Sequence, residues 1–169
     1  KDVGVRRPVG FDQRTPRAAE GRSGRNNARL KLHVIARGRI GRCPEADLVE
    51  RYRKRMTWPM AITELDDRGP VKLPAPVTPC VTIVLDERGK QHGSRALADQ
   101  LSRWRDAGMR EARFLIGAAD GHDDDMRGQA DLLLGFGLAT WPHMLVRAML
   151  AEQLYRATAI IAGHPYHRD

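Results

Sequence analysis

The pattern of apolar and polar positions becomes periodic at Leu30, after an irregular start. Short runs rich in Val, Ile and Leu predict four β-strands, over residues 30–36, 60–65, 80–85 and 114–116. The run 80–85 is continuously apolar, which is typical of a parallel strand that is covered on both faces. The run 132–139 predicts another strand, although Gly135 and Gly137 interrupt it.

Amphipathic helices are predicted between these strands. The first carries apolar residues at helical spacing after Pro44, namely Leu48, Tyr52 and Met56. The second begins at Ser94, a good N-cap residue, and ends at Gly108. Strands that alternate with helices indicate the α/β class, with a mostly parallel sheet and helices on both of its faces.

The last predicted helix starts at Pro142 and is apolar on nearly all sides. Such a helix is buried, and in a domain of this size we expect it to lie between its own sheet and a second subunit of a homodimer. Glu152 and Arg156 have the spacing of a local ion pair. Beyond the helix, residues 164–169 form a polar tail that contains two histidines, a tyrosine and an arginine.

Composition and charge refine this picture. A chain of 169 residues with 41% hydrophobic residues is long enough for one domain, placed at residues 30–169. Five of the eight net positive charges fall in residues 1–29, which we interpret as a disordered basic extension. It is either an RNA-binding arm or, the preferred interpretation, a segment that precedes the native start. The apolar runs are too short for a membrane span, so we expect a soluble, cytoplasmic protein.

A ligand site is predicted at the carboxyl ends of the strands, where open parallel sheets bind ligands. Distinctive residues follow three of these strands, at Leu85 and Asp86, at 117–121 and at 137–141. The glycines there let a ligand approach the backbone. Neither a G-x-G-x-x-G fingerprint nor a P-loop is present, which disfavours a dinucleotide or a triphosphate. His143, in the first turn of the last helix, adds an anion site.

Four motifs carry a resemblance to a known family. They are L-K-L-H-V-I-A-R-G at the domain start, I-G-A-A-D-G after a strand, W-P-H-M-L-V-R-x-x-L-x-E-Q-L-Y-R-A in the last helix and H-P-Y-H-R in the tail. Together they resemble the bacterial large-subunit ribosomal RNA pseudouridine-N3 methyltransferases of the SPOUT class. The resemblance spans residues 30–169 and leaves out the basic extension.

The resemblance implies a C-terminal trefoil knot that holds S-adenosylmethionine, in an obligate homodimer where one subunit's tail completes the site. The implied cofactor residues are Leu85, Gly117, Phe136, Gly137, Leu138, Ala139, Thr140 and Trp141. The implied reaction is methylation of N3 of a pseudouridine in the decoding-centre hairpin of 23S ribosomal RNA, on the assembled ribosome. Two departures from the family pattern leave side-chain contacts open: Ala118-Ala119-Asp120 replaces Gly-Pro-Glu, and Met144 replaces a proline.

The tail residues suit this chemistry. His164 and His167 are the available acceptors for the N3 proton, Tyr166 can stack on the base, and Arg168 can bind a phosphate. His143 is a further candidate, and which histidine takes the proton stays open. The transfer requires no metal. Two alternatives remain: a SPOUT-class methyltransferase of another RNA base, and a non-catalytic RNA-binding or ribosome-assembly module.

Overall fold

The computed structural model describes residues 29–167. Apart from Arg29, the predicted basic extension lies outside the described residues, as does Arg168, so the disorder of the extension stays a prediction. Within the described part, five strands and four helices follow one another in this order: β1 (Lys31–Arg37), α1 (Pro44–Arg55), β2 (Met60–Leu65), β3 (Cys80–Gln91), α2 (Ser94–Asp106), β4 (Glu111–Ile116), α3 (Asp124–Gly128), β5 (Leu132–Gly135) and α4 (His143–Ile161).

The strands form one parallel sheet in the order β2-β1-β4-β3-β5, as the alternating pattern predicts. Every residue of the central strand β4 is buried. Helices α2 and α4 pack on one face, and α1 packs against α4. The second face is covered by Met126 of α3 and by Leu73 of the 66–79 loop. Helices therefore lie on both faces, but the second face has only a helix of five residues.

Helix α4 is buried by elements of its own chain. Leu150, Ala151, Leu154 and Ala157 are fully inaccessible between the sheet, α1 and α2. One side of the apolar pattern is thus buried within one subunit, whereas Leu145, Met149 and Ile160 are only half-buried there, and the homodimer stays a prediction. Among residues 29–167, no helix combines the length and the apolarity that a bilayer crossing needs.

The backbones of β3 and β5 approach each other unusually closely. β3 continues past Leu85 with a register shift, so Leu134 pairs with both Leu85 and Lys90. A Cβ atom added to Gly89 would lie 2.5 Å from the carbonyl carbon of Leu134, and one added to Gly135 would lie 2.7 Å from the carbonyl oxygen of Gly89. The segment after Leu85 therefore wraps closely over β5. The trefoil knot stays a prediction from the resemblance.

Strand β4 begins at Glu111, three residues before the predicted start, because two of its first residues are polar yet buried. The carboxylate of Glu111 is fully buried and accepts hydrogen bonds from the backbone N–H of Val77 at 2.7 Å and from Lys31 Nζ at 3.0 Å, and lies 2.7 Å from His33 Nδ1. Burial opposes its ionisation, but these partners together lower the pKa of Glu111. A charged residue with three partners therefore occupies a position in the core where an apolar residue is expected.

Local boundaries differ from prediction in four further places. The N-cap of α2 is Gly93, and the hydroxyl of Ser94 instead donates to Gln153 Oε1 at 2.8 Å. Pro142 is the N-cap of α4 and not its first residue. The short helix α3 was not predicted, although Asp123 caps it by accepting from the N–H of Met126 at 2.7 Å. The last strand ends at Gly135 and not at residue 139.

The Gly89→Ala variant should be strongly destabilised, by about 3 kcal/mol or more, because backbone atoms at 2.5 Å cannot move aside cheaply. The matched control is Gly128→Ala, since a Cβ there meets nothing within 4 Å. We expect the control to stay within about 1 kcal/mol of the wild type. Urea unfolding followed by circular dichroism measures both, and equal stability of the two variants would contradict the close crossing.

Candidate active site

A cavity of about 230 Å³ opens at the carboxyl ends of β3, β4 and β5. Seven of the eight predicted cofactor residues line it: Leu85, Gly117, Phe136, Gly137, Ala139, Thr140 and Trp141. The eighth, Leu138, does not line the cavity, and its side chain is 90% exposed. The cavity therefore lies at the predicted carboxyl edge of the sheet, and most of the predicted residues line it.

The glycines in the wall have specific backbone roles. Gly137 has φ of +103°, a conformation that L side chains rarely adopt, and it turns the chain away from β5. Trp141 Nε1 donates to the carbonyl of Phe136 at 3.1 Å and closes this loop. A Cβ on Gly117 would lie 2.8 Å from the carbonyl of Gly121, so the 117–121 turn needs glycine there. Gly117, Gly121 and Gly137 thus bring backbone to the cavity wall.

An ion pair borders the cavity between β3 and α3. Asp86 Oδ2 accepts from Arg127 Nε at 2.7 Å, and the Asp86 side chain is only 4% exposed. Burial opposes ionisation, but the hydrogen bonds from Arg127 and from the N–H of Arg88 outweigh it and lower the pKa of Asp86. Arg127 also donates to Asp124 at 2.9 Å, where the partner is exposed. This pair holds α3 against the cavity.

Arg147 fixes the start of α4 next to the cavity. Its guanidinium is 3% exposed and donates to Glu64 Oε1 at 2.9 Å and to the carbonyl of Gly38 at 2.8 Å. Glu64 also accepts from the N–H of Ile40 at 2.7 Å. These contacts join α4 to the carboxyl ends of β1 and β2. His143, one turn earlier in α4, and Val146, the residue before Arg147, line the cavity.

The polar tail lies away from the cavity of its own chain. The N–H of His164 donates to the carbonyl of Ala159 at 2.9 Å. Ala159 lies about 24 Å beyond His143 along the axis of α4, at 1.5 Å per residue. The hydroxyl of Tyr166 reaches back only to Glu152, about 13 Å from His143 on the same scale. Of the candidate catalytic side chains described, only His143 lines the cavity.

Tyr166 is packed against helices of its own chain. Its ring meets Tyr155 edge-on at 4.6 Å, and the guanidinium groups of Arg55 and Arg156 lie 5.6 Å and 4.8 Å from its centre. Burial, with Tyr52 and the Glu152 carboxylate, raises the pKa of Tyr166 to about 12. Its hydroxyl donates to Glu152 at 3.2 Å, and Glu152 also accepts from Arg156 at 2.9 Å, which confirms the predicted ion pair. These contacts anchor the tail.

Comparison with known proteins identifies the family. The sequence model described as "Predicted SPOUT methyltransferase" matches residues 30–167. The chain belongs to the SPOUT methyltransferase family. A protein of Erythrobacter litoralis named ribosomal RNA large subunit methyltransferase H is 64% identical over 139 residues, 82% of this chain and 99% of the relative. A protein of the same name from Rhodospirillum centenum is 47% identical over 152 residues, with 83% and 99% covered.

A solved structure has the same fold as this SPOUT methyltransferase. It is described as a "probable methylase family protein" from Haemophilus influenzae Rd KW20, and it superposes with a TM-score of 0.51 at 9% identity. The match covers 83% of this chain and 70% of the other. At this identity the likeness supports the fold alone.

Sequence reasoning missed part of the SPOUT cavity. It placed Asp86 at a strand end but did not pair it with Arg127, which lies 41 residues later in an unpredicted helix. Two features could have indicated this pair: Asp86 at a strand end, and the acidic run 123–125, in which Asp123 caps a helix. Ala118, Ala119 and Asp120, which replace the Gly-Pro-Glu of the family pattern, also line the cavity. Within residues 29–167, no group of three His, Cys, Asp or Glu side chains is placed to hold a metal ion; that the transfer needs no metal stays a prediction.

The Asp86→Asn variant of this SPOUT protein should lose about 1–3 kcal/mol of stability at pH 7, because a buried charged hydrogen bond is weakened. Since the folded-state pKa of Asp86 is lowered, its contribution is present above the unfolded pKa near 4 and is lost as pH falls through the folded value. The loss should therefore shrink towards zero in acid. Asp124→Asn is the control, because this partner of Arg127 is 92% exposed. Urea unfolding at several pH values measures the stability of both variants. Equal losses of stability in the two variants at pH 7 would refute the buried ion pair of Asp86 and Arg127.

Proposed function

We propose that this chain transfers a methyl group from S-adenosylmethionine to N3 of a pseudouridine in the decoding-centre hairpin of 23S ribosomal RNA. We further propose that it acts in the cytoplasm, as a homodimer, on the assembled ribosome. The observation that carries the ribosomal RNA substrate is the 64% identity to relatives named ribosomal RNA large subunit methyltransferase H, which the alignment covers over 99% of their length. The pseudouridine and its position rest on the resemblance of the tail and helix motifs.

The residues that line the cavity suit the chemical groups of S-adenosylmethionine. Apolar side chains suited to a purine ring form one part of its wall: Leu85, Ile116, Leu134, Phe136 and Val146. Asp86, Glu87 and Asp120 also line it, with Arg127 as a counter-charge. The sulfonium and ammonium groups of the cofactor are cations, so a wall in which carboxylates outnumber guanidinium groups favours them. When bound there, the cofactor supplies an electrophilic methyl group.

The residues of this chain have three tasks in the proposed reaction. Glycine-rich backbone at 117–121 and 136–141 positions the donor, which lowers the barrier by fixing in-line approach. Arg147 holds the start of α4, so His143 stays at the cavity wall beside the incoming base. A histidine, either His143 or one of the tail, accepts the N3 proton, and Arg168 binds a phosphate of the hairpin.

A second copy of the chain would bring the tail to the cavity. The tail and the cavity lie at different ends of α4 in one chain: His164 is bonded to Ala159, which lies about 24 Å along the helix axis from His143. Beside the cavity, Leu138 is 90% exposed and Trp141 is 42% exposed, and large apolar side chains in such positions favour a protein contact. We therefore propose that the partner's tail closes the cavity over the exposed loop 136–141.

The proposed reaction is tested by transfer of labelled methyl groups to ribosomes from a strain that lacks the modification. After digestion and mapping, the label should fall on N3 of one pseudouridine of 23S RNA. Label on another RNA base would support the sister-enzyme alternative. Ribosome binding without measurable S-adenosylmethionine affinity in calorimetry would support the non-catalytic module, and either result would refute the proposed reaction.

Deletion of residues 164–169 should leave a folded dimer with little methyl transfer, because these residues carry most of the proposed RNA chemistry. Cofactor affinity should fall much less than turnover. Size-exclusion chromatography, calorimetry with S-adenosylmethionine and the labelled-methyl assay measure the three properties separately. Tyr166→Phe is the companion variant, since it removes only the hydrogen bond to Glu152 and keeps the ring contacts. Full activity of the deletion variant would exclude a catalytic tail.

A further inference from the structure

We infer that the amino edge of the sheet, where the parallel strands begin, binds the phosphate backbone of the RNA substrate. Its cationic side chains form a surface that we call the basic edge: Arg29, Lys31, Arg53, Lys54, Arg55, Arg103, Arg105 and Arg110. The inference rests on the proposed RNA substrate and adds where, and by which subunit, that RNA is held.

The sheet register places these residues together. Lys31 pairs with Glu111 and Glu111 pairs with Cys80, so β1, β3 and β4 begin at the same edge. Helices α1 and α2 both end there, in last turns that are basic. Side-chain contacts tie the cations to this edge: Arg29 donates to the carbonyl of Thr57 at 2.6 Å, Arg105 lies 5.7 Å from the ring centre of Trp58, and Arg110 donates to the carbonyl of Thr78 at 3.5 Å.

Most of these charges are available to a ligand. Arg29, Lys54, Arg103 and Arg110 are exposed, and Lys54 retains 72% of its side-chain accessibility. Among the described residues, three carboxylates pair with four of the eight cations: Glu50 with Arg53 and Lys54, Asp106 with Arg105, and buried Glu111 with Lys31. The helix dipole favours cations in the last turns, but Arg29 and Arg110 lie outside the helices and need another reason.

The catalytic tail emerges at the same edge. Arg55, at the end of α1, lies over the rings of both Tyr155 and Tyr166, at 4.9 Å and 5.6 Å. The cavity at the opposite edge is lined by Asp86, Glu87 and Asp120, which would repel phosphates. RNA that binds along the basic edge therefore meets the tail first. The subunit that supplies the tail holds the RNA, and the cavity that receives the base belongs to the partner.

The test compares two pairs of substitutions that each remove two positive charges from exposed side chains. Lys54→Gln with Arg110→Gln changes the basic edge and leaves the ring contacts of Tyr166 intact. Arg68→Gln with Lys72→Gln changes the 66–79 loop and serves as the control. Binding of unmodified ribosomes is measured by co-sedimentation at several salt concentrations, together with KM and kcat for labelled-methyl transfer. Calorimetry with S-adenosylmethionine confirms that both cavities are intact.

The edge pair should weaken ribosome binding and raise KM by about three- to tenfold, with kcat nearly unchanged, because phosphate contacts position the RNA. The plot of log affinity against log salt should become less steep by about 1–2, as expected for two lost phosphate contacts. The control pair should change neither. If both pairs weaken ribosome binding equally, the loss of net charge alone explains the effect, and the inference is overturned. An unchanged salt dependence of the edge pair would overturn it as well. Binding is measured apart from turnover, so the two proposals can fail separately. A wild type that binds ribosomes but transfers no methyl group contradicts the proposed reaction, whereas the binding comparison of the two pairs still tests the basic edge.

Discussion

The close crossing of β3 and β5 is the constraint on which the rest of the structure depends. Gly89 and Gly135 let two backbones approach to distances that any Cβ would prevent. The crossing directs the loops after Leu85 and Gly135 to the same edge of the sheet, where they meet the 117–121 turn. The cavity at this edge is the consequence. Gly117, Gly121 and Gly137 contribute backbone to its wall beside the side chains of the other lining residues.

Helix α4 connects this cavity to the tail and keeps them apart. Arg147 fixes its first turns to β1 and β2 at the carboxyl edge, whereas Tyr155 and Arg156 hold the tail near the other edge. Because the helix is packed inside its own subunit, it cannot bend to bring the tail to the cavity. The same rigidity separates a cavity with acidic walls from a basic edge. A rigid subunit with its two functional parts so far apart suits an active site shared between copies.

The sequence predicted what depends on local pattern and missed what depends on distant partners. Strand β2 has its predicted bounds because it alternates between turn-rich segments, and β5 was overextended because periodicity cannot show where Gly137 turns the chain. The start of β4 was missed since buried Glu111 is polar in sequence and neutralised only by remote residues. Seven of the predicted cofactor residues line the cavity, whereas Leu138 in the same run is exposed and does not; their contact with the cofactor stays a prediction. The family motifs implied a tail that completes a partner's site; within one chain the tail does lie far from the cavity, and its place in a dimer stays a prediction.

Complementation between two inactive subunits tests the shared site most directly. One subunit carries Gly117→Val, which disrupts the 117–121 turn of the cavity wall, and the other lacks residues 164–169; different affinity tags allow the mixed dimer to be isolated. Each parent homodimer should transfer almost no methyl groups to unmodified ribosomes. The mixed dimer contains one intact cavity facing one intact tail, so it should recover roughly half of the wild-type rate. A mixed dimer as inactive as its parents would show that cavity and tail must belong to the same chain, and would contradict the account.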